Sequence, residues 1–171
     1  MKHLILGGAR SGKSRHAENC AHDSGKSLFY VATAQPRDGE MSARIAHHKA
    51  QRGGQWTLLE EPVQLANCLE KINSTEHCIV IDCLTLWLSN CLEQGCWPEE
   101  KAHLLSTLKH FEADIILVGN EVGGGIVPMG ELSRQFIDEN GWLQQTLAGL
   151  CNQVTTVIAG LPLTLKDTTP T

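Results

Sequence analysis

Gly7-Gly8-Ala9-Arg10-Ser11-Gly12-Lys13-Ser14 sets a glycine, four free positions and then Gly-Lys-Ser directly after the apolar run Leu4-Ile5-Leu6. This is the spacing of a phosphate loop. Glycines at 7, 8 and 12 let the backbone approach a ligand with no Cβ in the way. The loop N–H groups and the start of the following helix then present a positive end to a polyphosphate. Lys13 is placed to reach the β and γ oxygens, and the Ser14 hydroxyl to hold Mg2+. The pattern predicts a site for a nucleoside triphosphate.

A second group lies between Arg37 and Gly54, where Arg44, His47, His48, Lys49 and Arg52 crowd together. The stretch Glu40 to Gln51 reads as a helix, with Met41, Ile45 and Ala46 apolar and Gly53-Gly54 as its stop. His47 and His48 can each approach Arg44 along the helix, but they point about 100° apart, which argues against a shared role. On spacing alone, a solvated basic face with two surface histidines is the simpler reading. The functional one is an imidazole nucleophile among cations that neutralise a phosphate.

Two further groups sit at strand ends. Cys78-Ile79-Val80-Ile81-Asp82 is an apolar run closing on an acid, the Walker B pattern, and Asp82 is then a second holder of Mg2+. Ile115 to Gly119 runs into Asn120-Glu121-Val122-Gly123-Gly124-Gly125, where three successive glycines imply a mobile or closely approached backbone beside a ligand.

These groups need a frame. A helix from Ser14 to about Ala21 and a buried strand Leu28–Thr33 follow the loop, the strand stopping at Ala34-Gln35-Pro36. Trp56–Glu60 reads as a short strand ending at an acid, and Glu61-Pro62 opens a helix Val63–Ile72. Leu84–Leu92 is a Leu/Trp-rich helix for the core or for a subunit contact. Helices from Pro98 to about Phe111 and from Glu131 to Leu150 follow, then a strand Gln153–Ala159 and an edge strand Leu163–Lys166. Strands alternating with helices predict a three-layer α/β fold of the P-loop NTPase (RecA-like) type with a mainly parallel central sheet. One domain covers 1–166, and Asp167 to Thr171 reads as a disordered tail.

Composition narrows the function classes. A net charge of −5, the small size and the absence of a track of aromatic and basic residues argue against a non-enzymatic nucleotide-gated switch or RecA-like nucleic-acid binder. The chain has no K-x-D-G, the mark of lysine-linked nucleotidyltransferases. No apolar run approaches the roughly 18 residues of a membrane span. Met1-Lys2-His3 leads straight into the first strand, leaving no room for a secretory signal. Seven cysteines, an odd number without a C-x-x-C pair, read as free thiols in a reducing cytoplasm.

Taken together and in order, GGARSGKS, ARIAHHK (Ala43–Lys49) and NEVGGGIVP (Asn120–Pro128) resemble the bifunctional adenosylcobinamide kinase/adenosylcobinamide-phosphate guanylyltransferase family of cobalamin biosynthesis. The resemblance runs from about residue 3 to residue 166 and outweighs the surface reading of the histidines. It implies phosphorylation of adenosylcobinamide by ATP or GTP, then transfer of GMP from GTP to adenosylcobinamide phosphate through a GMP-histidine. It places the nucleophile at His47 and nucleotide contacts at His48, Lys49, Ala50 and Gln51, with Thr33, Ala34, Gln35, Glu60 and Asp82 also contacting GTP. It further implies a homo-oligomer. The chain departs from the family pattern at Leu6 and Gly119, where a small polar residue and threonine are expected, and at Asp82, where relatives can carry glutamate. A plain small-molecule P-loop kinase without guanylyl transfer is the nearest rival.

Overall fold

A computed structural model of the chain describes residues 1–35 and 53–168. Among these, seven strands form one sheet: β1 (Lys2–Gly7), β2 (Ser27–Ala32), β3 (Trp56–Glu60), β4 (His77–Asp82), β5 (Asp114–Asn120), β6 (Gln153–Ile158) and β7 (Leu161–Asp167). Their order across the sheet is β3-β2-β4-β5-β1-β6-β7, and only β7 runs antiparallel to its neighbour.

The central strands are apolar at nearly every position because both of their faces are covered. Successive side chains alternate between those faces. Leu4, Ile79, Ile81, Ile115 and Leu117 enter one buried cluster; Ile5, Cys78, Val80, Ile116 and Val118 enter the other. On the second face lies α1 (Lys13–Asp23), whose buried Ala17 and Ala21 bring its backbone close to the sheet. On the first lie α2 (Leu65–Lys71), α3 (Leu84–Gln94), α4 (Trp97–Lys109) and α5 (Glu131–Leu150). The three-layer α/β arrangement read from the sequence is the one adopted.

The Leu84–Leu92 stripe goes into the chain's own core. Leu84, Trp87 and Leu88 are buried there, and the Trp87 Nε1 donates to Val63 O at 2.6 Å while its ring meets Trp97 edge-on at 5.2 Å. This removes those side chains from any subunit contact. α2 starts at Leu65, later than its apolar pattern suggests, because Glu61 Oε1 accepts from the N–H groups of Val63 (3.0 Å) and Gln64 (2.7 Å) in a turn before the helix.

The edge strand is longer than its Leu163–Lys166 signal. A two-residue turn, Ala159 (φ 52°) and Gly160 (φ 82°), folds β7 directly back onto β6. β7 takes in Asp167, and Thr168 N donates to Asn152 O at 2.9 Å, so the chain is still paired where a disordered tail was expected to begin.

Candidate active site

Six parallel strands end at one edge of the sheet, and the candidate residues follow those ends, as ligands do in open α/β sheets. β1 closes at Gly7, and the loop Gly8–Gly12 turns into α1 with Arg10 (φ 57°) and Gly12 (φ 96°) in left-handed conformations. A Cβ on Gly7 would stand 2.5 Å from Ser11 Oγ and 2.7 Å from Val157 O, so the loop can close only over glycine. Ser11 O accepts from Gly160 N at 2.8 Å, which braces the loop against the β6–β7 turn. Among the described residues no side chain caps α1. Its first N–H groups are therefore left for a ligand, with the positive end of the helix behind them. Lys13 is only 8% exposed, and its Nζ donates to Gly8 O at 3.1 Å, which holds the ammonium against the loop. Ser14, the next residue of the helix, is half-buried.

Asp82 ends β4. The hydroxyl of Tyr30, on the neighbouring strand β2, donates to Asp82 Oδ2 at 2.7 Å and orients the carboxylate. Beyond β2, Thr33 is fully buried: its Oγ1 donates to Cys83 O (2.8 Å) and accepts from Cys83 N (2.9 Å). Asn90 on α3 donates from Nδ2 to Thr33 O (2.9 Å) and Pro62 O (3.0 Å), tying the segments that follow β2 and β3 to the helix layer. The Thr33 side chain is thus committed within the protein, while Ala34 and Gln35 lie half-buried at the edge. Burial, with the Asp82 charge adding to it, pushes the Cys83 thiol up to about 12, so this cysteine stays protonated and packs rather than attacks. Glu60 closes β3, in register with Ala32.

Asn120 ends β5 beside Gly7, its register partner on β1. Its N–H donates to Thr85 Oγ1 at 2.8 Å, and its carbonyl accepts from Asn140 Nδ2 (3.2 Å) and Gln144 Nε2 (2.8 Å) of α5. The next residue, Glu121, donates its N–H to Gly7 O at 3.0 Å. A Cβ at Gly119 would press on Leu6 Cδ2 at 3.2 Å; the two departures from the family pattern face each other across β1 and β5.

The arrangement can hold a triphosphate against uncapped N–H groups and a buried lysine. Ser14 and Asp82 add hydroxyl and carboxylate oxygens from α1 and β4. Among the described residues no three His, Cys, Asp or Glu side chains gather into a metal cage. A sparse set of hard oxygen donors suits Mg2+, which keeps several waters and binds substrate phosphates.

The edge brings together Gly7 to Ser14, Ala34, Gln35, Asp82, Asn120 and Glu121, with Glu60 at its outer strand. His47, His48, Lys49, Ala50 and Gln51 lie outside the described residues. Sequence reasoning missed Tyr30, Thr85, Asn90, Asn140 and Gln144, whose partners at this edge are 20 to 57 residues distant in the chain. The one available signal was the pair Asn90 and Asn140, amides on otherwise apolar helix faces.

Comparison with known proteins agrees with this geometry. The family model described as cobinamide kinase / cobinamide phosphate guanyltransferase (CobU) matches residues 3–165. The bifunctional adenosylcobalamin biosynthesis protein CobP of Pseudomonas aeruginosa is 51% identical over 97% of this chain and 98% of its own length. CobU of Escherichia coli, also named a bifunctional adenosylcobalamin biosynthesis protein, is 36% identical over 95% of this chain and 98% of its own. Among solved structures, the RadB recombinase superposes with a TM-score of 0.53 at 17% identity, covering 91% of this chain and 73% of its own. The flagellar accessory protein FlaH from Methanocaldococcus jannaschii gives 0.53 at 13%, covering 97% and 78%. Those two likenesses speak for the P-loop fold alone. From the phosphate loop to the β6–β7 hairpin, the chain belongs to the cobinamide kinase / cobinamide phosphate guanyltransferase family.

Proposed function

We propose that the phosphate loop and His47 divide the family's two reactions between them in this chain. In the first, the loop holds ATP or GTP and Lys13 stabilises the γ-phosphoryl group as it passes to the aminopropanol hydroxyl of adenosylcobinamide. In the second, the His47 imidazole attacks the α-phosphorus of GTP; an N–P bond forms and the bond to pyrophosphate breaks. An oxygen of adenosylcobinamide phosphate then attacks the same phosphorus. The N–P bond breaks, the imidazole is restored and adenosylcobinamide-GDP leaves. Mg2+ held by Ser14 and Asp82 would supply charge neutralisation for the phosphate oxygens in both steps. His48, Lys49, Ala50, Gln51, Ala34, Gln35 and Glu60 complete the nucleotide contacts, while buried Thr33 shapes the edge from within. The observation that carries this reading is the uncapped start of α1 with buried Lys13 inside the loop, on the sheet edge that also holds Asp82.

The protein works as a homo-oligomer in the cytoplasm. All seven cysteines are free thiols, in keeping with a reducing compartment. Ile158, Leu161, Leu163 and Leu165 leave apolar side chains exposed on the β6–β7 hairpin, in keeping with a subunit contact.

Labelling with α-32P-GTP tests the covalent step. Wild type keeps label through denaturation, in an acid-labile, base-stable bond. His47→Ala takes up none and transfers no GMP, yet retains kinase activity, and His48→Ala is still labelled. GMP found on His48 or on a lysine sinks the assignment, and an unlabelled wild type hands the chain to the plain-kinase reading.

A further inference from the structure

The segment between β5 and α5 carries apolar side chains that the fold does not use. Ile126 and Met129 are 98% and 95% exposed, and Val127 and Leu132 beside them are more than half exposed. Contiguous large apolar side chains left in water mark a binding surface. The strap is anchored at both ends. Glu121 Oε1 accepts from Gly123 N near its start, and Arg134 on α5 donates to Met129 O at its close. It leaves the sheet beside the phosphate loop, with Glu121 N donating to Gly7 O at 3.0 Å.

Its glycines point the same way. Gly124 and Gly125 lack left-handed φ angles, and a Cβ on either would meet nothing within 4 Å. Among the described residues neither turn geometry nor internal packing calls for glycine there. The open space over both leaves the backbone accessible to close approach from outside, as at Gly8 in the phosphate loop, which is equally open.

We propose that this strap, through Ile126, Val127, Met129 and Leu132, is the surface that receives the corrin ring of adenosylcobinamide, an inference that rests on the activity proposed above. The acceptor hydroxyl is at the end of a short aminopropanol arm and must reach a phosphorus held by the phosphate loop. The ring therefore sits an arm's length from Gly7 to Ser14, and its methyl-bearing rim needs an apolar surface there. The strap leaves the sheet beside that loop, where Glu121 N donates to Gly7 O, and its exposed apolar side chains begin five residues further on.

The test is Ile126→Ser combined with Met129→Ser in the full chain, two sites so exposed that the fold does not depend on them. Adenosylcobinamide affinity is read by calorimetry, its KM in the kinase reaction, and covalent labelling by α-32P-GTP, which needs no corrinoid. The expected result is corrinoid binding weaker by about tenfold or more, which is about 1.4 kcal/mol or more, with labelling unchanged. Unchanged corrinoid affinity with normal labelling overturns the strap and leaves the proposed function standing. So does a change of oligomeric state in sedimentation without loss of corrinoid affinity, which makes the strap a subunit contact. Loss of affinity on Leu163→Ser but not in the strap variant moves the ring to the β6–β7 hairpin and equally overturns it. A wild type that takes up no label strikes the guanylyl-transfer reading itself, whereas calorimetry judges the strap independently.

Discussion

Replacing Lys13 by methionine keeps most of the side-chain stem and removes the charge at the centre of the loop. In the free protein the Lys13 residue is already only 8% exposed, and its ammonium donates to Gly8 O at 3.1 Å. The desolvation that usually offsets a lysine–phosphate contact is therefore incurred on folding, before any nucleotide arrives. A unit-charge pair about 4 Å apart is worth about 4 kcal/mol at an effective dielectric of about 20. Surrendering the bond to Gly8 O returns about 1 to 2 kcal/mol of that. The net loss on Lys13→Met is then about 2 to 3 kcal/mol, or about 30- to 150-fold in GTP affinity. Folding should not suffer, since a buried charge is replaced by an apolar group of similar shape. Calorimetric titration with GTP at fixed Mg2+, alongside a thermal melt, reads both quantities. A variant that melts like wild type and binds GTP with wild-type affinity would refute the placement of Lys13 against the phosphates. A variant that melts much lower would refute the argument that its desolvation is a cost borne by the fold.

Asp82→Asn should raise the Mg2+ needed for half-maximal activity in both reactions while metal-free nucleotide binding stays nearly intact. Tyr30→Phe should shift the same titration in the same direction by less, since it frees the carboxylate without discharging it; two curves identical to wild type take Asp82 out of the site. His3 provides a pH test of the fold. Burial first, and the nearby His16 charge second, lower its pKa from 6.5 to about 4, against a smaller opposing pull from Asp167. The folded value lies below the unfolded one, so the stability held with neutral His3 is complete above about 6.5 and is lost as pH falls towards 4, by up to about 3 kcal/mol. His3 Nε2 is bonded to Thr155 Oγ1 at 2.8 Å, so His3→Gln is the matching control. Urea unfolding at pH 7.5 and 5 should show a smaller drop in the variant, and equal drops would discount His3.

Sequence alone carried the parts of this protein whose physics is local. A phosphate loop is a backbone shape written in glycines at set spacing, and Gly7 and Gly12 are indeed where a side chain would collide or the backbone turns left-handed. The long helix Glu131–Leu150 and the buried strands were legible because hydrophobic period reports directly on coverage. The order β3-β2-β4-β5-β1-β6-β7 was not legible, because parallel strands paired through distant crossovers leave no mark on neighbouring residues. For the same reason Tyr30 on Asp82, and Asn90 on Thr33, could be found only in three dimensions. An apolar stripe also reads alike whether it faces the core or a partner. Only the packing of Trp87 under Val63 and against Trp97 assigned Leu84–Leu92 to the core, while the exposure of Ile126 and Met129 left the strap facing outward. Local patterns encode which residues want to leave water; the tertiary structure decides which of them find a partner within the chain, because that depends on contacts between segments far apart in sequence.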